Sequence, residues 1–308
     1  KKKKFTDEVI WRIYWKGYLE NYKSIWYQYI NFRKKPINSN IMNSALEGNT
    51  GISCFDTWIE ELRENNYLHN HSRMWFASIW IFTLGLPWQL GAKLFMRHLL
   101  DGDASSNTLS WRWIAGMHTN KKPYLASQEN INKYTINRFR NTDIKIHKEI
   151  NTIKNINHQS NKLPTQRSFP NSNILIMFDN DMHIFNRSKL FNLYSKVYIL
   201  CNVIKNNEFE LSVKVSQFKL DLINNVNKLI PNSEVLNSNK IGMILHGVSC
   251  IDVIYPGIGH NLDLINKYAN ENKIMINFIY RKEDLKYWSY ANSGFHKFKK
   301  LFHNYNKI

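Results

Sequence analysis

A change in the spacing of apolar residues near residue 173 divides this chain into two parts of different fold class. Before this point, apolar residues recur at three- and four-residue steps, the period of helices packed on a core. After it, short apolar runs alternate with longer stretches of helical spacing, a pattern typical of buried parallel strands joined by helices. We therefore predict a two-domain protein: a mostly α-helical domain followed by a doubly wound, Rossmann-like α/β domain.

The first part shows helical spacing in several separate stretches. The predicted helices cover residues 5–30, 54–65, 72–84 and 90–100. A break at Gly85, Leu86 and Pro87 separates the last two. We place the helical domain at residues 1–135. Residues 136–172 are rich in Asn, Lys and Ile and are predicted to form a linker.

The second part, residues 173–308, contains five candidate strands. They are predicted at residues 174–178, 197–203, 241–246, 252–255 and 274–279, with helices over 213–229 and 261–268. Two turns at strand ends carry polar groups. The Gly257–Gly259 turn before a helix suits either a phosphate site or an ordinary turn, and Asp179 with Asp181 suits either a metal pair or a polar turn.

Composition limits the partners and the compartment. A hydrophobic content of 43% supports a real core, and a net charge of +18 favours a polyanion such as DNA or RNA, or an anionic membrane surface, unless the charges are merely spread over solvated faces. The most apolar run, residues 74–88, is shorter than the roughly 20 residues that span a bilayer. Three widely spaced cysteines fit a reducing compartment. We expect a cytoplasmic protein that does not bind membranes.

One face of the first helix concentrates unusual chemistry. Glu8, Trp11, Arg12 and Trp15 stand at i, i+3, i+4 and i+7, so a carboxylate, a guanidinium and two indoles share that face. Such a face suits the stacking of a base and hydrogen bonds to its polar edge, and equally suits two core tryptophans beside a surface ion pair. The spacing alone leaves both interpretations open.

Two further stretches gather polar donors and acceptors. A glycine turn at residues 48–56 precedes a cluster of amide, imidazole and guanidinium groups at residues 67–74. Residues 100–113 then hold Asp101, Asp103, Asn107, Trp111 and Trp113. These groups are suited to hold a planar heterocycle or a phosphate.

Taken in order, these stretches resemble the FAD-binding domain of the photolyase/cryptochrome superfamily. The chain contains the family's Glu-x-x-Trp-Arg helix, Gly-x-Thr-Gly turn, His-Asn-x-x-Arg-Met segment and Asp-Gly-Asp…Trp-x-Trp loop, at matching intervals over residues 5–134. The resemblance implies a non-covalent FAD whose reduced form, after absorbing blue light, donates an electron to a cyclobutane pyrimidine dimer flipped out of DNA. It therefore predicts a deoxyribodipyrimidine photo-lyase, a carbon–carbon lyase.

The resemblance also assigns roles to individual residues. The residues implied to bind the cofactor are Arg12, Asn70, Arg73, Asp101, Asp103 and Asn107, with Arg73 as the charge partner of Asp101 and Asn107 facing the flavin N5. The residues implied to contact the dimer are Glu8, Trp11 and Trp113. Aromatic walls of this kind contribute about 1 to 3 kcal/mol per stacked base.

Trp111 and Trp88 match the two inner tryptophans of the family's electron-transfer chain. The stretch 36–47, where an outer tryptophan is expected, contains none, so electron transfer would end early or leave through Trp80 or Trp75. The family's Ser/Thr-rich pyrophosphate segment is expected upstream of Glu8, where seven residues stand. The family's α/β domain usually comes first, whereas here it follows. We therefore expect a short or rearranged member that lacks the upstream part. It is expected to act on dimer-containing DNA as a monomer. Whether it binds a second, antenna chromophore is left open by the sequence.

Three other functions remain as alternatives. A cryptochrome-like photoreceptor, or a flavin-binding module without repair activity, would share the cofactor site, although retention of the substrate-side residues favours repair. A (6-4) photolyase is less favoured, because the pattern of that group has a His-His pair at the position where this chain has His69-Asn70. A metal-dependent hydrolase would use His69, His71, Asp101 and Asp103, but leaves the tryptophans and Asn107 unexplained.

Overall fold

The computed structural model describes residues 2–32, 38–118, 121–140, 144, 158–164, 169–185, 187–201 and 210–305. By internal contacts the chain splits into two compact units. One consists of Lys1–Trp26 together with Gln159–Ile308, and the other of Tyr27–His158. We call them the sheet unit and the helical unit. The predicted fold class, a helical region plus an α/β region, is confirmed.

The helical unit is built from short helices linked by tight turns. Its elements are most of α2 (Ser24–Ile30), α3 (Ser39–Glu47), α4 (Ser53–Asn65), α5 (Asn70–Ser78), a π-helical segment (Ile79–Thr83), α6 (Trp88–His98), α7 (Ala104–Ile114) and α8 (Gln128–Tyr134). The predicted helices over 54–65, 72–84 and 90–100 are present within a few residues. Gly85, with φ of +66°, marks the predicted break between the last two.

The sheet unit contains a five-stranded parallel sheet. Its elements are α1 (Lys2–Asn21), β1 (Ile174–Phe178), α9 (Ser188–Phe191), β2 (Lys196–Cys201), α10 (Val213–Asn227), β3 (Ser233–Asn237), α11 (Ile241–Ile244), β4 (Cys250–Ile254), α12 (His260–Asn272), β5 (Met275–Ile279), α13 (Lys282–Trp288) and α14 (Phe295–Tyr305). The strand order is β3-β2-β1-β4-β5, so the order reverses between β1 and β4, as in doubly wound sheets.

One predicted strand was wrong. Residues 241–246 were predicted to be extended, but α11 occupies Ile241–Ile244 and the missing strand is β3, over Ser233–Asn237. β3 lies at the edge of the sheet and only Leu236 on it is buried, so its sequence lacks the apolar run of a central strand. In α11, Ile241 is fully buried while Met243 is 81% exposed, an alternation that a short helix also produces.

The Asp-Gly-Asp motif was described from the sequence as a loop, but it leads directly into a helix. The side chain of Asp103 caps α7 by accepting a hydrogen bond from the Ser106 N–H at 2.8 Å. Residues 104–114, including Trp111 and Trp113, are therefore helical. The terminal helices α13 and α14 were not predicted either.

Helix α1 packs within the sheet unit, against α13 and α14. Gly17 permits this approach, since a Cβ there would lie 2.7 Å from the Cβ of Ala291 and 3.1 Å from the Cα of Trp288. The contacts therefore group α1 with the sheet, whereas the sequence placed it in a domain of residues 1–135. Those domain limits, and the linker at 136–172, remain predictions, and most of the linker lies outside the described residues.

In the ranges that the structure describes, no helix is both long enough and apolar enough to cross a membrane.

Candidate functional site

A two-pronged ion pair joins α5 to the segment before α7. Arg73 Nη1 donates a hydrogen bond to Asp101 Oδ2 at 3.1 Å, Nη2 lies 3.0 Å from Oδ1 as an ion-pair contact, and Nε donates to the Leu68 carbonyl at 2.7 Å. The charge-assisted hydrogen bond and the second close contact hold the two side chains together. The side chains remain 21% and 32% exposed, so the pair forms a partly open polar edge. The predicted pairing of Arg73 with Asp101 is thus present in the structure.

Asn107 lies one turn into α7 and is nearly buried, at 8% exposure. Its side-chain amide donates to the Ala92 carbonyl of α6 at 2.8 Å. This bond uses the amide nitrogen, and none of the described residues donates to the Asn107 amide oxygen. The oxygen is therefore a preoriented acceptor, while Asp103 is held at the start of the same helix by its cap to Ser106.

Trp111 and Trp88 are both buried, at 2% and 3% exposure. Within the described part of the chain, neither indole N–H has a hydrogen-bond partner. Trp111 meets Trp80 edge to face, with ring centroids 6.4 Å apart, and Trp88 stacks on Tyr29 at 5.4 Å. Trp80 belongs to the π-helical segment, a local geometry often found at functional sites.

A buried cation lies beside these tryptophans. Arg112 is 2% exposed, and its guanidinium stands 6.0 Å from the Trp88 ring and 3.3 Å from the Nε2 of His158. Burial, and then the charge of Arg112, lower the pKa of His118 and that of His158 to about 4. Both imidazoles are therefore neutral at pH 7, whereas the Arg112 guanidinium beside Trp88 is positively charged.

The remaining predicted residues of the helical unit differ in exposure. Trp113 stacks on Tyr124, with centroids 5.7 Å apart, and is half-buried. Asn70 is exposed at the first residue of α5, directly after the capping residue His69. Asn70 is thus placed where its amide is accessible at a helix N-terminus.

Three predicted residues lie on α1 in the sheet unit. Glu8 and Arg12 are exposed, whereas Trp11 is half-buried. The Trp11 ring stacks on Phe295 of α14 with centroids 3.5 Å apart and an interplanar angle of 6°. The predicted site residues are therefore distributed over both compact units, and Phe295 is a neighbour of Trp11 that the sequence did not reveal.

The donor and acceptor set of the helical unit fits the isoalloxazine ring of a flavin. A flavin presents N–H and carbonyl groups along one edge of a planar ring, and Asp101, Asp103 and Arg73 offer complementary acceptors and donors. The free acceptor oxygen of Asn107 suits the N–H that a flavin carries in its reduced form. FAD is thus compatible with the polar atoms of this unit.

Comparison with known proteins shows the family to which the chain belongs. Residues 5–169, more than half of the 308, match the family model described as the FAD binding domain of DNA photolyase. The chain belongs to this photolyase family. The match includes every residue that the sequence assigned to cofactor, dimer or electron transfer.

Individual photolyases show the same relationship over a shorter stretch. The chain is 32% identical over 126 residues to the deoxyribodipyrimidine photo-lyase of Buchnera aphidicola subsp. Baizongia pistaciae and 28% identical over 128 residues to that of Escherichia coli. Each alignment covers 39% of this chain and 26% of the relative, so the chain spans about a quarter of the length of these proteins. No solved structure matches.

The acidic turn after β1 is a charge network. Asp179 pairs with Lys219, and Asp181 pairs with both Arg187, at 3.0 Å, and Arg281. Across the described ranges, no group of three or more His, Cys, Asp or Glu side chains is arranged to hold a metal ion. The ion pairs therefore favour the polar-turn interpretation of Asp179 and Asp181.

Proposed function

We propose that this chain takes part in light-driven, FAD-dependent repair of cyclobutane pyrimidine dimers, the deoxyribodipyrimidine photo-lyase reaction. The observation that carries the proposal is the ion pair of Arg73 with Asp101, which occurs within the segment that matches the family model. The printed names of the relatives support the substrate class. A cytoplasmic, monomeric protein remains our prediction. The three cysteines, all among the described residues, form no disulfide.

In this proposal the chain's own residues hold and orient the flavin. Arg73, Asp101 and Asp103 bind its polar edge, with Asn70 and Arg12 as further contacts. The amide oxygen of Asn107 would accept a hydrogen bond from the N–H that the reduced ring carries. When bound, FAD supplies blue-light absorption and the capacity to donate one electron.

The substrate side is assigned to Glu8, Trp11 and Trp113. The carboxyl group of Glu8 would hydrogen-bond the polar edge of the dimer, and the two indoles would contact its flat faces. A damaged base costs less to unstack from the duplex than a normal one, which favours its selection. Glu8 is exposed on α1, as this role requires.

Electron resupply is assigned to Trp111 and Trp88. Trp111 has two aromatic continuations among the described residues, because it contacts both Trp80 and Phe95. Photoreduction of the flavin in the W111F, W88F and W80F variants distinguishes the routes. We expect W111F to stop photoreduction, W88F to slow it if the family's route operates, and W80F to slow it if the electron leaves through the π-helical segment.

The decisive experiment combines spectroscopy with a repair assay on the full chain. The protein reconstituted with FAD should show flavin absorption bands that bleach under blue light with a reductant, and should restore thymines from a dimer-containing oligonucleotide. E8Q should lower the repair yield and leave the flavin spectrum unchanged, while E60Q, at an exposed glutamate of α4, should change neither. Flavin binding without repair in the unaltered chain would overturn the proposed reaction.

A second candidate is a cryptochrome-like flavin protein without repair activity. One observation favours it: Phe295 covers a face of Trp11, the indole assigned to the dimer. Under this candidate F295A would gain no affinity for dimer-containing DNA, because no base would use the uncovered indole.

A further inference from the structure

The first residue of α14 lies flat on the proposed substrate-side tryptophan. Phe295 and Trp11 are nearly parallel, at 6°, with ring centroids 3.5 Å apart, and Phe295 itself is only 7% exposed. One flat face of Trp11 is therefore taken by a side chain of the same compact unit. The flanking polar residues Glu8 and Arg12 remain exposed.

Further contacts hold α14 on α1, among them an edge-to-face contact of Phe295 itself with Tyr14, whose ring centroids are 5.6 Å apart. Phe298, which is fully buried, packs on Tyr14 with ring centroids 5.3 Å apart. Lys299 pairs with Asp7 at 2.6 Å, and these side chains are 25% and 32% exposed. The apolar contact fixes the middle of the helix, while the ion pair is partly solvated and so of modest strength.

The geometry of the Trp11–Phe295 pair makes it replaceable. Aromatic rings prefer offset or edge-to-face arrangements, with centroids 4.5 to 7 Å apart, over a full face-to-face overlap. A separation of 3.5 Å at 6° is close to full overlap. A nucleobase stacked on an aromatic side chain gains at least as much as a pair of aromatic side chains. A base is therefore an effective competitor for this face.

The outer surface of α14 attracts the same ligand. His296, Lys297 and Lys300 are exposed, and the helix carries no acidic residue. Cationic side chains of this kind bind DNA phosphates with release of counterions. DNA that approaches α1 thus meets a positive helix whose opposite side covers the indole.

We propose that α14 is an autoinhibitory cap on Trp11: Phe295 must leave the indole before a base of damaged DNA can stack there. This inference rests on the proposed function. It predicts that substitutions that weaken the packing of α14 on α1 strengthen DNA binding. If α14 had only a structural role, the same substitutions would leave DNA affinity unchanged or lower it.

The test uses charge-matched variants of the full chain. K299Q and K300Q each remove one positive charge from α14; Lys299 pairs with Asp7, whereas Lys300 is exposed. Binding of a short labelled DNA oligonucleotide is followed by fluorescence anisotropy, with and without one thymine dimer. We expect K299Q to bind the dimer DNA more tightly than the unaltered chain despite its lost positive charge, whereas K300Q, which loses an exposed cation, should bind it more weakly. F295A should bind it about 2- to 10-fold more tightly than the unaltered chain, the range set by one aromatic pair.

Adding W11A to F295A should abolish the gain, because the uncovered indole is then absent. K299Q that binds no more tightly than the unaltered chain would overturn the cap. This comparison stays valid if F295A fails to fold, since K299Q leaves the apolar contacts intact. The proposed function fails separately, if no variant prefers dimer DNA to undamaged DNA. In that case a tighter binding of undamaged single-stranded DNA by K299Q than by the unaltered chain would still support a cap.

Discussion

The buried carboxylate of Glu20, near the end of α1, accepts a hydrogen bond from the Ile258 N–H at 3.1 Å and another from the Tyr255 hydroxyl at 2.8 Å. Ile258 lies in the Gly257–Gly259 turn between β4 and α12, at the carboxyl edge of the sheet next to the β1–β4 switch point. Ligands of doubly wound sheets usually bind at this edge. Here the Glu20 carboxylate already accepts the hydrogen bond of one backbone N–H of the turn. This favours the interpretation of the Gly257–Gly259 turn as a contact point for α1.

Glu20 should make the stability of the sheet unit depend on pH. Burial raises the pKa of Glu20 from 4.5 to about 7, against opposing hydrogen bonds from Tyr255 and Ile258 and the charge of Lys23; nearby Asp284 raises it further. The folded form therefore binds more protons than the unfolded form between these values. The contribution is fully present below about pH 4.5 and is lost as the pH rises through 7, by up to about 1.4 kcal/mol per pH unit.

We expect E20Q to remove this dependence, so that its stability relative to the unaltered chain improves as the pH rises from 4.5 to 7. Hydrogen exchange at residues 250–262 measures it locally. E271Q, at an exposed glutamate of α12, is the control. A difference between E20Q and the unaltered chain that stays constant with pH would contradict the assignment.

His118 should give the helical unit the opposite response. Its folded pKa of about 4 lies below the ordinary value of 6.5, because of burial and then the charge of Arg112. The unfolded form therefore binds more protons between pH 4 and 6.5, and stability is lost as the pH falls through that window. We expect the stability of H118Q to fall less steeply than that of the unaltered chain as the pH drops from 6.5 to 4. Part of the loss should persist, because the pKa values of His98 and His158 are also lowered to about 4. Hydrogen exchange of α7 between pH 4 and 7 checks it, and an unchanged slope in H118Q would refute it.

Gly91 should be intolerant of a side chain because Trp111 occupies the space beside it. A Cβ at Gly91 would overlap the Trp111 ring, with Cζ2 still only 3.0 Å away. We expect G91A to lower the unfolding free energy by about 1 to 3 kcal/mol. Urea denaturation measures this, and the smaller ring of W111F should restore part of it in the double variant. G242A is the control, since its nearest neighbour is the Tyr268 ring at 4.0 Å.

Asp101 should matter more for the cofactor than for the fold. The pair with Arg73 is partly solvated, so D101N should cost no more than about 1 kcal/mol of unfolding free energy. Retention of FAD on gel filtration should fall sharply, because Arg73 loses the partner that orients it. E60Q should alter neither property. If D101N retained FAD as well as the unaltered chain, Asp101 would not be a cofactor contact.

The sequence by itself determined the elements whose signals are local. Four motifs in order predicted the photolyase family. Apolar runs located the central strands β1, β2 and β4, because a central parallel strand must be apolar on both faces, and the edge strand β5, whose sequence is also mostly apolar. The pairing of Arg73 with Asp101 was implied by the resemblance and is present in the structure. The other edge strand, β3, was missed because polar residues interrupt its apolar pattern.

Only the tertiary structure decided which side chains cover each face of helix α1. Helical spacing places Glu8, Trp11 and Arg12 on one side of α1, but it holds no information about which distant segment packs there. That Phe295 stacks on Trp11, and that Glu20 reaches Ile258, follows from the packing of α1 on elements at the other end of the chain. Such contacts depend on the relative positions of whole helices and strands, which local periodicity does not specify.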